Sequence, residues 1–261
     1  MVREFFLAFQ RTRTGRTTWT GWHNLHQIVN DPTFWQAWRN TGLFTGLALV
    51  LGYALPFAVA VLLNELRQAR GFLRVLVYLP VMLPPVSALV LFQYLYNPDY
   101  GLIDHLLHAL HLPAVAWLQD QRTAMLSVVI ASTWMNMGSA TLIYLAGLQG
   151  IPGELYEAAE LDGAGLLRRI RHVTIPQMRN VLSLMLLMQI VATMQVFVEP
   201  FVLTNGGQGV GGSTITVVYL IYQYAFNFDN YGAASALGLL LLLVLAVFSA
   251  LYVRLSRRVE E

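Results

Sequence analysis

The sequence contains no cysteine and no lysine, and it carries little charge of either sign: 16 arginines and 14 acidic residues, 11% of 261 positions. Without cysteine there are no disulfides, no thiolate nucleophile and no Cys-ligated zinc or iron–sulfur site. Without lysine there is no phosphate-binding loop ending in Lys-Ser/Thr and no Schiff base. The chain therefore does not bind ATP through such a loop. Soluble domains carry about 25% charged residues, so a fully water-exposed surface is excluded as well. What remains is apolar: 56% of the residues are hydrophobic, and the mean hydropathy is +0.55. At roughly 20 residues per spanning helix, the length accommodates five or six spans with short loops and no large soluble catalytic domain.

Five segments read as spanning helices, each apolar and free of Asp, Glu and Arg: about 41–63, 75–96, 124–149, 181–198 and 231–253. The expected fold class is all-α, a polytopic membrane protein. An N-terminal segment (1–40) leads into a transmembrane domain (41–255), and 256–261 form a tail. Arg67, Arg70 and Arg74, then Arg168, Arg169, Arg171 and Arg179, then Arg254, Arg257 and Arg258 fall on one side of this arrangement. The two opposite loops hold only Arg122. The positive-inside rule places the 150–180 loop and the C-terminus in the cytoplasm. Arg3, Arg11, Arg13, Arg16 and Arg39 break the pattern. Phe5–Phe9 reads either as the stub of an upstream helix or as part of a surface-lying amphipathic segment. Pro56, Pro80, Pro84 and Pro85 fall inside spans, where each removes a backbone donor and kinks its helix. The glycine-rich run 205–213 reads as an outer loop followed by a partly buried segment, 214–226.

The 150–180 loop is the most specific feature. Pro152 suits a first helical turn, and Glu154 and Glu157 suit the positive end of the helix dipole. Gly163 supplies the turn that ends this short helix. A second helical piece follows, with Leu166, Ile170 and Val173 on one face, Arg168, Arg169 and Arg171 largely elsewhere, and Pro176 as its stop. The expected product is a helix–turn–helix knob whose small Ala158 and Ala159 permit close approach of a partner. The alternative is a loop capped for its own stability.

The stretch Glu157-Ala158-Ala159-x-x-Asp162-Gly163-Ala164, followed by Ile175-Pro176, resembles the EAA motif of the permease subunits of ABC importers. The family usually has an aromatic at Ile170 and Leu at Ile175; both replacements stay apolar. The resemblance covers roughly residues 20–255. It includes Asn30-Asp31-Pro32-Thr33-Phe34-Trp35, Tyr78-Leu79-Pro80, Tyr96-Asn97-Pro98-Asp99-Tyr100-Gly101 and Leu203-Thr204-Asn205-Gly206-Gly207, all similar to carbohydrate-type permeases, including those for glycerol phosphate.

The resemblance implies a subunit of a bacterial or archaeal cytoplasmic membrane that pairs with a second permease. It also implies an extracytoplasmic solute-binding protein and two cytoplasmic ATPase subunits, which hold the ATP and magnesium. This chain itself needs no cofactor, and nucleic acid has no part. The ATPase-coupling residues it implies are Glu157, Ala158, Ala159, Asp162, Gly163, Ala164 and Pro176. Members normally carry one more N-terminal span.

Polar or aromatic residues within spans are the candidates for the solute pathway: Gln93, Trp134, Asn136, Gln189 and Gln195, which suit the hydroxyls and flat CH face of a sugar. The same groups also join helices to one another. Glu199 is a further candidate, but beside Pro200 at the outer end of a span it reads as an interfacial group rather than a binding one. His105, His108 and His111 recur every third residue but lack a supporting acidic or cysteine cluster, so no metal site is expected. A non-sugar solute is an alternative. A gradient-driven carrier is another, although it usually needs charged groups inside its spans. No nucleophile–base pair suggests a membrane enzyme.

Overall fold

The computed structural model describes residues 6–13, 16–65 and 70–260. Among these the chain is a helical bundle with one antiparallel hairpin, β1 (Gln10–Arg13) and β2 (Arg16–Trp19), in the register Gln10 to Trp19. Phe6 and Leu7 form a helical turn ahead of it; Phe5 lies outside the described residues. Helix α1 (His23–Val29) follows, and the Asn24 amide donates to the Ala8 and Gln10 carbonyls, both at 2.9 Å. Ala8 and Ile28 are wholly buried in one apolar cluster with Ala233, Ala236 and Leu237 of the last helix. The N-terminal segment thus packs onto the bundle.

Helix α2 (Pro32–Ala48) starts where its capping chemistry dictates, ahead of the expected residue 41. Asp31 Oδ1 accepts the Thr33 amide at 2.8 Å, and Pro32 occupies the first turn, where no donor is needed. Asp31 Oδ2 accepts the Tyr224 hydroxyl at 2.6 Å. Burial pushes the Asp31 carboxyl up, but the bonds from Tyr224 and Thr33 outweigh it and hold the group below the usual carboxylate range. The helix continues through a π turn (Leu49–Tyr53) into α3 (Ala54–Glu65), giving one 34-residue span. Pro56 has no donor for the Gly52 carbonyl, and the wider turn just before it takes up that mismatch.

The second expected span is not a kinked rod but a corner. Helix α4 (Arg70–Tyr78) passes through a 3-10 turn (Leu79–Met82) to α5 (Pro85–Leu95), and the two halves meet at 100°. Leu83 and Pro84 each precede a proline and adopt extended ψ of 141° and 128°. The steric clash of a proline ring with its predecessor enforces that conformation. Helix α6 (Leu102–Ala109) lies in the following loop. Helix α7 (Ala124–Gln149) then fills the centre of the bundle, packing against α2, α3 and both halves of the corner.

Short helices α8 (Gly153–Leu161) and α9 (Leu166–Arg169) come next, then a π turn (Ile170–Thr174) and α10 (Ile175–Gln177). At Met178 the chain bends by 78° into α11 (Arg179–Met194). Helix α12 (Val198–Leu203) restarts after a break, α13 (Val217–Tyr222) follows the glycine-rich run, and α14 (Tyr231–Glu260) closes the fold. Among the described residues three helices are long and apolar enough to cross a membrane alone, and counting each of the two bent pairs as one span brings the number to five. Leu242, Leu243, Val247 and Leu251 of α14 stand exposed, as a lipid-facing helix requires.

The glycine-rich run is anchored rather than loose. Asn40 donates to the Gly212 and Ile215 carbonyls at 2.8 and 3.0 Å, and Gln36 to Gly211 at 3.0 Å. Thr214 donates to Gly207 at 3.0 Å, and Thr216 to Val196 at 3.0 Å. Five of its glycines and Asn205 adopt positive φ, so the path is specified residue by residue.

Candidate functional site

Two places in the fold combine the features of a working site, one at the arginine-rich end of the bundle and one inside it. At the arginine-rich end, α8 and the α9–α10 segment form the expected protrusion. Gly163 ends α8 with φ of +73°; its amide reaches Glu160 and the Ala164 amide reaches Ala159, both at 2.9 Å. This paired closure satisfies two orphan helix carbonyls and needs a left-handed residue, which glycine adopts without strain. Only Glu154 lies in the first turn of α8; Glu157 is one turn further on.

Two ties hold the protrusion to the bundle, and a third bond braces it internally. Arg169 pairs with Glu160 on α8 and with Glu65 at the end of α3, the latter at 3.6 Å. The hydroxyls of Tyr156 and Thr174 bond at 3.0 Å. Ile151 and Ile170 pack on the apolar cluster of Tyr144, Leu145, Leu148 and Met178, so the aliphatic residue at 170 does the work of an apolar anchor. Arg169 is therefore tucked in, unlike the exposed Arg168 and Arg171. Pro176 does not end the second piece, which runs one residue further; the π turn before it takes up its missing donor to the His172 carbonyl.

The remaining surface has no partner among the described residues. Glu157, Ala158, Asp162, Gly163 and Pro176 are exposed, and Ala159 and Ala164 half-buried. No residue of α8 is buried. Leu161 is 90% exposed and Leu167 82%, on either side of the Gly163 turn. Apolar side chains displayed on a rigid polar-rimmed protrusion mark a surface for another protein.

Inside the bundle, α2, α7 and α11 enclose a cavity of about 650 Å³ that reaches the break between α11 and α12. Its polar lining includes Asn136, Ser139, Gln189, Thr193, Gln195 and Glu199. Asn136, Ser139 and Gln195 are exposed in this chain although they lie in apolar spans. Facing lipid they would be costly; facing an aqueous path or a second subunit they are not. Asn136 gives one amide hydrogen to Ser132 O at 2.9 Å and Gln195 one to Val191 O at 2.9 Å, while Gln189 gives one to Ala48 O at 3.3 Å. The rest of each amide is open to the cavity.

The cavity thus brings together Asn136, Gln189 and Gln195 from the sequence candidates. It does not include the other two. Trp134 packs edge-on against Phe92 at 5.3 Å within an apolar cluster, and Gln93 donates to the Val202 and Leu203 carbonyls beside a separate outer pocket. Sequence reasoning missed Ser132, and it counted Glu199 as a candidate while favouring an interfacial position for it; Ser132 Oγ donates to Glu199 Oε1 at 3.1 Å on the cavity wall. The spacing Ser132, Asn136, Ser139 marks one helix face and was a usable signal. Asp104, next to the histidine series, turns inward and accepts the Val115 amide and the Trp117 indole. Among the described residues no group of three or more His, Cys, Asp or Glu is placed to hold a metal. A Cβ at Gly42 or Gly46 would meet nothing within 4 Å among the described residues, so neither position needs a glycine for close packing there.

Comparison with known proteins places this architecture. Residues 52–261 match the family described as binding-protein-dependent transport system inner membrane component. A probable ABC transporter permease of Bacillus subtilis, YurN, is 34% identical over 94% of this chain and 84% of its own length. The trehalose/maltose transport system permease MalF of Thermococcus litoralis is 33% identical over 91% and 79%. The crystal structure of a bacterial ABC transporter that imports the acidic polysaccharide alginate matches with a TM-score of 0.86 at 22% identity, covering 100% of this chain and 89% of that one.

Proposed function

Because this chain belongs to the binding-protein-dependent transport system inner membrane components, we propose that it is the permease subunit of an ATP-driven importer for a carbohydrate. The relatives' names support the solute class: trehalose and maltose for one, arabinooligosaccharides and lactose for others. The protein is a multi-pass membrane component. Its arginine-rich end and C-terminus face the cytoplasm, in keeping with the arginine placement. Residues 41–255 form the transport domain and 150–180 its coupling loop.

The observation that carries the reading is the protrusion of residues 153–177, capped at Gly163 and displaying Leu161 and Leu167 with no partner among the described residues. It seats in a cleft of one of two cytoplasmic ATPase subunits. Those subunits bind ATP and magnesium; this chain holds neither. Glu157 and Asp162 offer carboxylates for charge-assisted bonds across that contact, and Ala158 lets the backbones approach. Closure of the ATPase pair displaces the protrusion. Arg169 passes the displacement to α3 through Glu65, and the bend at Met178 passes it to α11. Both elements wall the 650 Å³ cavity or continue from helices that do, and the cavity is this chain's half of the pathway. A second permease supplies the other half, and an extracytoplasmic binding protein delivers the solute.

Reconstituted with its partners in vesicles, the protein takes up labelled sugar when ATP is inside and no ion gradient exists. Uptake that follows a proton or sodium gradient and ignores ATP contradicts the proposal.

A further inference from the structure

Glu199 is the single charged side chain among the described residues that line the membrane cavity. It stands at the start of α12, just past the break at 195–197, and its Oε1 accepts the Ser132 hydroxyl from α7 at 3.1 Å. Among the described residues no ion pair involves it. The rest of the described polar lining is amide and hydroxyl, and among the described residues no arginine or histidine contributes to it. We infer that Glu199 is a specificity-determining residue of the pathway: its carboxylate receives the hydroxyls of a neutral polyol or saccharide and rejects anionic sugars, including sugar phosphates.

The inference rests on the cavity being the solute path. A carboxylate held by one hydroxyl keeps its second oxygen free, and that oxygen accepts one or two sugar hydroxyls in charge-assisted bonds. The same carboxylate, on a wall whose described lining residues include no cation, repels a second negative charge. An importer for acidic or phosphorylated solutes needs cations at this position; this wall offers the opposite sign.

The test uses the importer assembled with its second permease and ATPases in lipid nanodiscs, without the binding protein. The probes are maltose, lactose and trehalose, each beside its 6-phosphate, with binding read by saturation-transfer NMR. In the wild type at least one neutral sugar binds, and its phosphate binds about tenfold or more weakly. Glu199→Gln, which still accepts from Ser132, brings the pair within roughly threefold. Glu199→Asp, which keeps the charge, preserves the gap. Equal binding of both members to the wild type, or a gap that survives Glu199→Gln, overturns the inference while leaving the sugar importer intact. Failure of all three neutral sugars alongside saturable binding of an amino acid overturns the carbohydrate reading and this inference with it.

Discussion

Residues 150–178 and residues 205–216 are both irregular, glycine-turned segments between membrane helices, yet they dispose of their groups in opposite ways. The second segment is closed on itself. Asn40, Gln36 and Thr214 take up its backbone carbonyls, Thr216 donates to Val196 of the bundle, and Thr214 and Thr216 are buried. The first satisfies its helix ends, one internal hydroxyl bond and two ties to the bundle, and leaves Leu161 and Leu167 in the open. A segment whose polar groups are met internally is part of the scaffold. One that displays apolar groups on a rigid frame is unfinished without a partner.

The largest expected effect comes from damaging the unfinished segment without unfolding it. Asp162→Arg reverses an exposed charge, and Gly163→Val forces a β-branched residue to φ of +73°. Either lowers ATP-driven uptake by roughly 100-fold, equivalent to losing about 3 kcal/mol at a docking hot spot. Membrane insertion and thermal unfolding in detergent stay near wild type. Wild-type uptake in both variants breaks the distinction between the two segments.

The closed segment should respond the other way. Asn40→Ala removes the Ile215 carbonyl's donor and leaves the Gly212 carbonyl only that of Gln36, at a cost of about 1–3 kcal/mol in stability. A lowered unfolding midpoint is the readout, and sugar-stimulated ATPase activity per folded molecule stays close to wild type. A generic Gly/Ser linker in place of 205–212 cannot reproduce the side-chain and backbone bonds and lowers the midpoint too. An unchanged midpoint in Asn40→Ala makes the run a spacer after all.

Arg169 lies between these cases because it belongs to the protrusion yet bonds to the bundle. Its partners are partly solvated, so Arg169→Gln costs only about 1 kcal/mol in stability. Uptake falls severalfold while ATP hydrolysis continues, a split that a purely structural role does not produce. Equal loss of uptake and hydrolysis assigns Arg169 to stability alone.

Much of this was readable in the residues. Apolar runs and the arginine distribution marked five crossings, and Glu157 to Ala164 with Gly163 marked the protrusion, because helix periodicity and turn glycines are local signals. The Pro80, Pro84 and Pro85 corner was readable only as a kink, since each proline states that a helix is interrupted but not by what angle. Ion pairing of Arg169 with Glu65 joins positions far apart in sequence and had no local mark. Glu199 looked interfacial because it sits beside Pro200 at the end of a run. Only the break at 195–197 turns that position into the cavity wall. The anchoring of 205–216 was hidden for the same reason: its partners Gln36 and Asn40 lie about 170 residues earlier in the chain.

The central claim is that the protrusion is a mechanical joint for a separately encoded ATPase. Placing a photo-crosslinker at Leu161 or Leu167 in native membranes tests it directly. The account predicts a covalent adduct with an ABC ATPase subunit from both positions, and none from exposed Val247 on the lipid-facing helix. Adducts with lipid alone at 161 and 167, with the intact ATPase present in the same membranes, contradict it.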